Sequence, residues 1–462
     1  MNDVHSRLNA TRVAGIAQPT STEELQNLVR TATQRKVPIA ICGGRHAMGG
    51  QQFLSDRLLI DCSALTGIRS MDHERGLVTV QAGTLWPDLM EGYLRAQSRA
   101  FPDRLPRWGI RQKQTGADTL SIGGALAANA HGRGLGMKPI IADVESFTLV
   151  APNGDLVECS REQNMRLFSL AIGGYGLFGP MAEVTLRLSP RVPVRRQVCL
   201  TDIEPALGAV QPRIEAGSLY GDFQFDVDPN SPGFLTRGVF SCYQPCEAPV
   251  PQVVENSIRR EEWLHLLTLA HQDKSRAFNE YAKHYLATDG VIDWSDRHQF
   301  GVYTDGYHDA IDRSTGAACR GSEMITELFV PPNELLGFLR AAAAMLTARA
   351  ANVIYGTIRM IERDAESFLP WARERFACVV FNLHVEHSAN GIEHAAGAFR
   401  ALIDLALERS GSFFLTYHRF ATREQLLHAY PQLPQFVSLK QQHDPTGTFS
   451  SDWFRWLAQT IG

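Results

Sequence analysis

The segment Ile41-Cys42-Gly43-Gly44-Arg45-His46-Ala47-Met48-Gly49-Gly50-Gln51 decides how this chain is read. It continues Pro38–Cys42, whose apolar run predicts a short buried strand. Its glycines let backbone pass close to a ligand, and consecutive amide N–H groups form an anion-binding nest suited to a pyrophosphate. A second glycine-dense stretch follows, Ser121-Ile122-Gly123-Gly124-Ala125-Leu126-Ala127-Ala128-Asn129-Ala130-His131-Gly132-Arg133-Gly134. Gly123-Gly124 read as a turn, and the small residues after them permit tight contact.

A dinucleotide site of the Rossmann kind is the obvious competitor. Gly174-Tyr175-Gly176-Leu177-Phe178-Gly179 spells G-x-G-x-x-G, but a working fingerprint opens a helix after a strand. Here Pro180 and Met181–Leu188 read as a strand, so the context fails. The first loop likewise runs toward a strand, Leu58–Cys62. No G-x-x-x-x-G-K-[ST] occurs, which removes support for nucleotide triphosphate hydrolysis.

Working outward, Ser21 and Glu24 form a capping box ahead of Leu25, Leu28, Val29 and Ala32 at helical spacing. Further strands are predicted at Leu77–Ala82, Phe147–Ala151 and Leu156–Cys159. The last two flank Asn153-Gly154, a hairpin signal. A helix is predicted from Trp86 to Gln97. Pro190, Pro193 and the run Arg191, Arg195, Arg196 read as a solvated boundary. Beyond it, residues 220–250 look strand-like, Asn333–Ala351 and Gly391–Arg409 helical, and the tail from Arg423 helical and aromatic.

The chain has 462 residues, with 44% hydrophobic and 20% charged, ordinary for a globular enzyme of two or three domains. Its 45 basic and 49 acidic residues give a net charge of −4, so no overall field draws it to nucleic acid or anionic lipid. No stretch approaches the roughly 18 apolar residues of a membrane span. The polar segment Met1–Thr11 lacks the apolar core of a signal peptide. The eight cysteines form no CxxC pair, and Cys242 with Cys246 lacks a second pair to finish a metal site. Reduced thiols in a cytoplasmic protein, with no metal, are the expectation.

Four motifs occur in order: the Gly-Gly-Arg-His loop, Ser-Ile-Gly-Gly…His-Gly-x-Gly, the Pro-Asn-Gly-Asp hairpin and the Gly-Gly-x-Gly-x-x-Gly turn. Together they resemble the FAD-binding domain of the vanillyl-alcohol oxidase and p-cresol methylhydroxylase superfamily, and within it sugar-lactone and alditol oxidases. The resemblance spans residues 15–190 and returns at Asp444-Pro-Thr-Gly-Thr-Phe449. It implies an α+β fold. Residues 1–190 would form an FAD-binding domain of two α+β subdomains, and 191–420 a substrate domain whose antiparallel sheet covers the flavin. Residues 421–462 would return to the first domain.

The resemblance also implies that His46 carries FAD through its 8α-methyl group. The family pattern is Gly-x-Gly-His, and here Arg45 stands where the second glycine would be. Relatives with a second, cysteinyl bond place a cysteine near the start of the second segment. Thr115–Ser121 contains none, so a single bond is expected. By position, Thr115, Gly116, Asp118, Thr119, Ser121, Gly123, Gly124, Ala128, Gly179 and Met181 would contact the cofactor along with residues 42–48. His131 would contact the flavin or support its loop.

Catalysis is expected from the second half. In Cys378–Val385, alternation puts Asn382 and His384 on one face and Val379, Phe381, Leu383 and Val385 on the other. Thr357 and Arg359 share a face in the same way. The sugar-alcohol oxidases place Glu-x-Arg at what looks like this spot, so Arg359 fits and Thr357 departs, which weakens the case for a simple polyol substrate. Tyr417-His418-Arg419, ending a further strand, completes the candidate set. Histidine suits a general base, and arginine stabilises developing negative charge. Three readings follow: an oxidase of a hydroxyl-bearing small molecule using dioxygen, a dehydrogenase with another acceptor, and a flavoprotein with a structural or non-redox flavin.

Overall fold

The computed structural model describes residues 1–251, 258–301 and 306–462. Helices and mainly antiparallel sheets make it an α+β structure. A small parallel sheet holds Gly15–Ala17, Leu58–Asp61 and Ile39–Cys42, in that spatial order. The helix Thr22–Gln34 packs its Leu25, Val29 and Ala32 into the same cluster as Ile39 and Ile60. Ser21 caps this helix through the Glu24 N–H, but the Glu24 carboxylate reaches back to Thr20 rather than to Ser21. The capping box is therefore displaced by one residue.

The chain's end adds to this sheet. Ile39 N–H donates to Thr448 O at 2.8 Å, and Ser450 N–H donates to Ile39 O at 3.0 Å. The turn before it is fixed by Asp444, whose carboxyl accepts from the N–H groups of Thr448 (2.9 Å) and Phe449 (2.8 Å). Three helices, Arg423–Ala429, Leu433–His443 and Asp452–Ile461, complete the tail.

A five-stranded antiparallel sheet follows, ordered Ile68–Asp72, Leu77–Gln81, Met181–Arg187, Val144–Val150 and Leu156–Ser160. Val150 pairs with Leu156 across the Asn153-Gly154 turn, where Gly154 has φ +83°. The Gly174–Gly179 turn enters the strand Met181–Arg187, as its context requires. Gly123-Gly124, expected as a turn, lie instead in the first turn of the helix Ile122–Ala128, with the Ser121 hydroxyl capping Gly124 N–H.

The largest sheet has eight antiparallel strands, ordered Ile292–Trp294, Pro193–Asp202, Arg237–Pro245, Tyr220–Phe225, Val353–Ile361, Phe376–Glu386, Gly321–Val330 and Ser412–Phe413. One face is apolar: Val379, Phe381, Leu383 and Val385 share a core with Leu335, Phe338 and Leu402 of the helices Leu335–Ala348 and Ala389–Leu407. Truncating one such side chain to alanine costs about 3 kcal/mol or more. The opposite face is polar and is covered by the helices Arg260–Gln272 and Lys274–Leu286, which the sequence reading did not find. The arginine run is not a solvated boundary, because residues 193–202 form a strand. Arg191 pairs with the buried Asp296, Arg196 donates to Ser241 Oγ, and only Arg195 is exposed. Tyr417-His418-Arg419 follows the short strand Ser412–Phe413 as loop rather than ending a long one. Among the described residues no helix is long and apolar enough to cross a membrane.

Candidate functional site

The glycine loop is clamped from two sides. Val4 N–H donates to Arg45 O (3.2 Å) and Asn9 Nδ2 to Met48 O (2.6 Å), while Met48 N–H donates to Thr416 O (3.0 Å) and Gln51 Nε2 to Leu415 O (2.7 Å). The held loop forms one wall of a cleft, and residues 114–130 and 175–181 form the others.

Glycine and alanine leave the walls of the cleft largely without side chains and let them pack closely. A Cβ on Gly43 would collide with Ser121, and one on Gly123 would come within 2.9 Å of Ala82 Cβ. Arg45 adopts φ +58°, a left-handed conformation that favours glycine. All the expected cofactor residues line the cleft except Asp118, Thr119 and His131. Asp118 pairs with the buried Lys113, which also donates to Gln114 O at 2.7 Å, so Asp118 braces the loop from behind. Thr119 Oγ1 lies 3.1 Å from His46 Nε2. The other ring nitrogen of His46, Nδ1, is 2.8 Å from His5 Nε2. Burial, then the neighbouring His46 and His308, hold the His5 pKa well below its ordinary value. His5 carried no signal in the sequence, because it reaches the loop only through the fold-back of the N-terminal segment.

A second cavity lies against the polar face of the eight-stranded sheet. It shares Gln114, Thr115, Gly116, Ile325 and Tyr417 with the first, so the two lie side by side. Arg359 and Asn382 line it, as alternation predicted. His384 lies on the same strand face but further along, 3.5 Å from Glu323 Oε1, and does not line the cavity. His418 is buried elsewhere, stacked on Phe420 with ring centroids 5.3 Å apart; burial lowers its pKa to about 4. The four candidates therefore do not converge.

Several residues at the cavity were missed. Phe223 pairs with Ile358, which sets Asp222 and Gln224 on the strand beside Arg359 and Thr357. Asp222 Oδ1, Gln224 Oε1, Thr357 Oγ1 and the Nε and Nη1 of Arg359 are buried without a hydrogen-bond partner. Each such group costs about 1–3 kcal/mol unless a ligand satisfies it. Arg133 donates to His298 O at 2.6 Å, and its Nη2 lies 3.1 Å from His298 Nδ1. With Nδ1 facing that donor, the free Nε2 of neutral His298 carries the hydrogen. Burial, then Arg133, keeps His298 well below its ordinary pKa and so neutral.

At the junction of the cavities, Glu327 accepts from Tyr417 Oη at 2.7 Å, and its other oxygen lies 2.9 Å from His131 Nε2. Burial raises the Glu327 pKa, but His131 and Arg359 outweigh it and leave the group below the ordinary carboxylate range. Burial, then Glu327, pushes the Tyr417 phenol well above its usual value, so it stays a donor.

Residues 13–160 match a family described as an FAD binding domain. The chain is similar to the L-gulono-1,4-lactone dehydrogenase of Mycobacterium tuberculosis, 23% identical over 446 residues that cover 96% of this chain and 95% of that protein. It is 21% identical to the L-gulonolactone oxidase of Bos taurus over 439 residues, 94% of this chain and 92% of that protein. The mitochondrial L-galactono-1,4-lactone dehydrogenase of Arabidopsis thaliana is 32% identical over 175 residues, 38% of this chain and 27% of that protein.

Proposed function

Because this chain is an FAD-linked oxidoreductase of the vanillyl-alcohol oxidase and p-cresol methylhydroxylase superfamily, related to sugar-lactone oxidases, we propose that it oxidises a hydroxyl-bearing small molecule at the junction of its two cavities. The observation that carries this is the set of unsatisfied buried polar groups on the sheet face, beside a cleft walled by glycine and alanine. Residues 1–190 form the cofactor domain in this reading, 191–420 the substrate domain, and 421–462 return to the first.

FAD, when bound, supplies a hydride acceptor at N5. Residues 42–48, 115–128 and 179–181 would hold it, with His46 attached to the 8α-methyl group. His5, neutral and 2.8 Å from His46 Nδ1, is placed to accept a proton from the His46 ring were that ring bonded to the flavin. On the sheet face, Gln224 and Thr357 accept from substrate hydroxyls while His298 Nε2–H and Asn382 orient them. Arg359 stabilises negative charge developing on the substrate oxygen. Asp222, whose Oδ1 is free and whose strand adjoins that of Arg359, takes the hydroxyl proton in place of the carboxylate that Thr357 lacks.

Dioxygen is the acceptor in this reading. A second reading, a dehydrogenase using another acceptor, is favoured by the relatives named as dehydrogenases over nearly the whole chain. All eight cysteines are free thiols, which suits a reducing compartment such as the cytoplasm. The test is anaerobic titration of the purified flavoprotein with sugar lactones, alditols and hydroxy acids. Bleaching of the flavin by one of them, with peroxide released on admitting air, supports an oxidase; bleaching without peroxide supports a dehydrogenase. If dithionite bleaches the flavin and no substrate does, the proposal fails.

A further inference from the structure

Three imidazoles and one carboxyl group converge at the rim of the second cavity, apart from the groups given to the hydroxyl chemistry. Glu323 is buried; its Oε1 lies 3.1 Å from His271 Nε2 and 3.5 Å from His384 Nδ1, and its Oε2 lies 3.1 Å from His308 Nδ1. The ligand atoms of His271, Glu323 and His384 all fall within 4.8 Å of one another. His271 comes from the helix Arg260–Gln272 and His308 from the helix His308–Thr315, while Glu323 and His384 pair across adjacent strands.

Glu323 is also hydrogen-bonded, to His271 and to the Tyr307 hydroxyl, and two features fit the cluster to a cation besides. The first is spacing. Donors bound at about 2.0–2.1 Å around a tetrahedral zinc ion stand roughly 3.3 Å apart, and the observed approaches bracket that value. The second is direction. Neither ring nitrogen of His308, nor Nδ1 of His384, makes a hydrogen bond, although Nδ1 of each crowds the carboxyl. His308 is almost wholly buried, so its ring is cut off from water as well. Gly321 preserves the arrangement, because a Cβ there would come 2.9 Å from His384 Nε2.

We propose that His271, Glu323 and His384 bind a divalent cation of the zinc class. Imidazole and carboxylate are donors that zinc accepts, and three protein ligands leave a fourth position for water. The ion would staple the helix Arg260–Gln272 to the strands behind it. This stands apart from the oxidation chemistry, since binding is read without any turnover.

The test uses the flavin-loaded protein, freed of metal with a chelator and titrated with Zn²⁺ by calorimetry and thermal melting. One zinc per chain and a rise in melting temperature are expected, because a ligand that binds only the folded state stabilises it. His271→Asn and His384→Asn should abolish both effects, while His394→Ala, an exposed histidine elsewhere, should change neither. Gly321→Ala should weaken binding by displacing the His384 ring. The proposal is overturned if the wild type takes up no zinc at excess metal, or if the two ligand variants bind as it does. The wild-type titration does not depend on any variant folding.

Discussion

Tyr417 donates its phenolic hydrogen to Glu327 across 2.7 Å, and this contact sits where the two cavities meet. Tyr417 lines both cavities, while Glu327 reaches back to His131 in the second glycine segment. One buried carboxyl thus ties the cofactor loop to the sheet. Tyr417→Phe leaves Glu327 Oε1 without that donor and should cost about 1–3 kcal/mol of stability at neutral pH. The Glu327 pKa is depressed in the fold, so its contribution is present above the ordinary carboxylate range and is lost as pH falls through the folded value. In the phenylalanine variant the depression shrinks, so the acid-dependent loss should be smaller and should be complete at a higher pH than in wild type. Melting curves from neutral pH down to the carboxylate range check this; superimposable curves for the two proteins contradict it.

His46 is the expected point of covalent attachment. Acid-precipitated wild type should keep its yellow colour in the pellet, and His46→Ala should release all flavin to the supernatant or purify without it. His5→Phe keeps a ring of similar size but removes the nitrogen facing His46 Nδ1. It should slow flavin attachment while leaving non-covalent flavin bound. Equal covalent incorporation in wild type and His5→Phe rules out the proton-accepting role.

Arg45 occupies a conformation that costs a non-glycine residue about 1–2 kcal/mol. Arg45→Gly should therefore raise the stability of the flavin-free protein by about 1 kcal/mol, offset in part by the greater freedom of glycine in the unfolded chain. Denaturant unfolding reads this directly, and a loss of stability contradicts it.

His418 is buried without a hydrogen bond on Nε2, and burial takes its pKa from 6.5 to about 4. The unfolded chain binds this proton before the folded one does, so stability should fall as pH drops from about 6.5 toward 4. At about 1.4 kcal/mol per pH unit the whole effect is worth roughly 3 kcal/mol. His418→Leu should remove that slope. A variant that loses stability over the same window as wild type shows that another group controls it.

The cofactor cleft was legible because its signal is local: glycine and alanine at fixed spacing strip side chains from the walls, and Arg45 betrays a glycine position. Arg359 and Asn382 were legible because alternation assigns a strand face. Alternation does not say how far along that face the cavity extends, so His384 was placed with them. Asp222 and Gln224 alternate with Phe223 and Phe225 and so carried the same face signal, but nothing in the sequence said that this strand lies beside the one bearing Arg359. Glu323 and Glu327 lie in a strand buried along nearly its whole length. Their partners come from helices, a neighbouring strand and loops, which no spacing rule joins. Sequence spacing also gave no hint of the cluster around Glu323, whose members lie far apart in the chain.

The central claim is that a hydroxyl group is oxidised on the face carrying Asp222 and Arg359. It is tested most directly by anaerobic rapid mixing of the flavoprotein with the substrate that bleaches it best, in wild type, Asp222→Asn and Arg359→Ala. Removing a base or a charge-stabilising group lowers rate by roughly 10²–10⁴-fold. Both variants should slow flavin reduction by that order while the bound flavin keeps its resting spectrum. Reduction in both variants within about threefold of wild type, far short of that loss, contradicts the account.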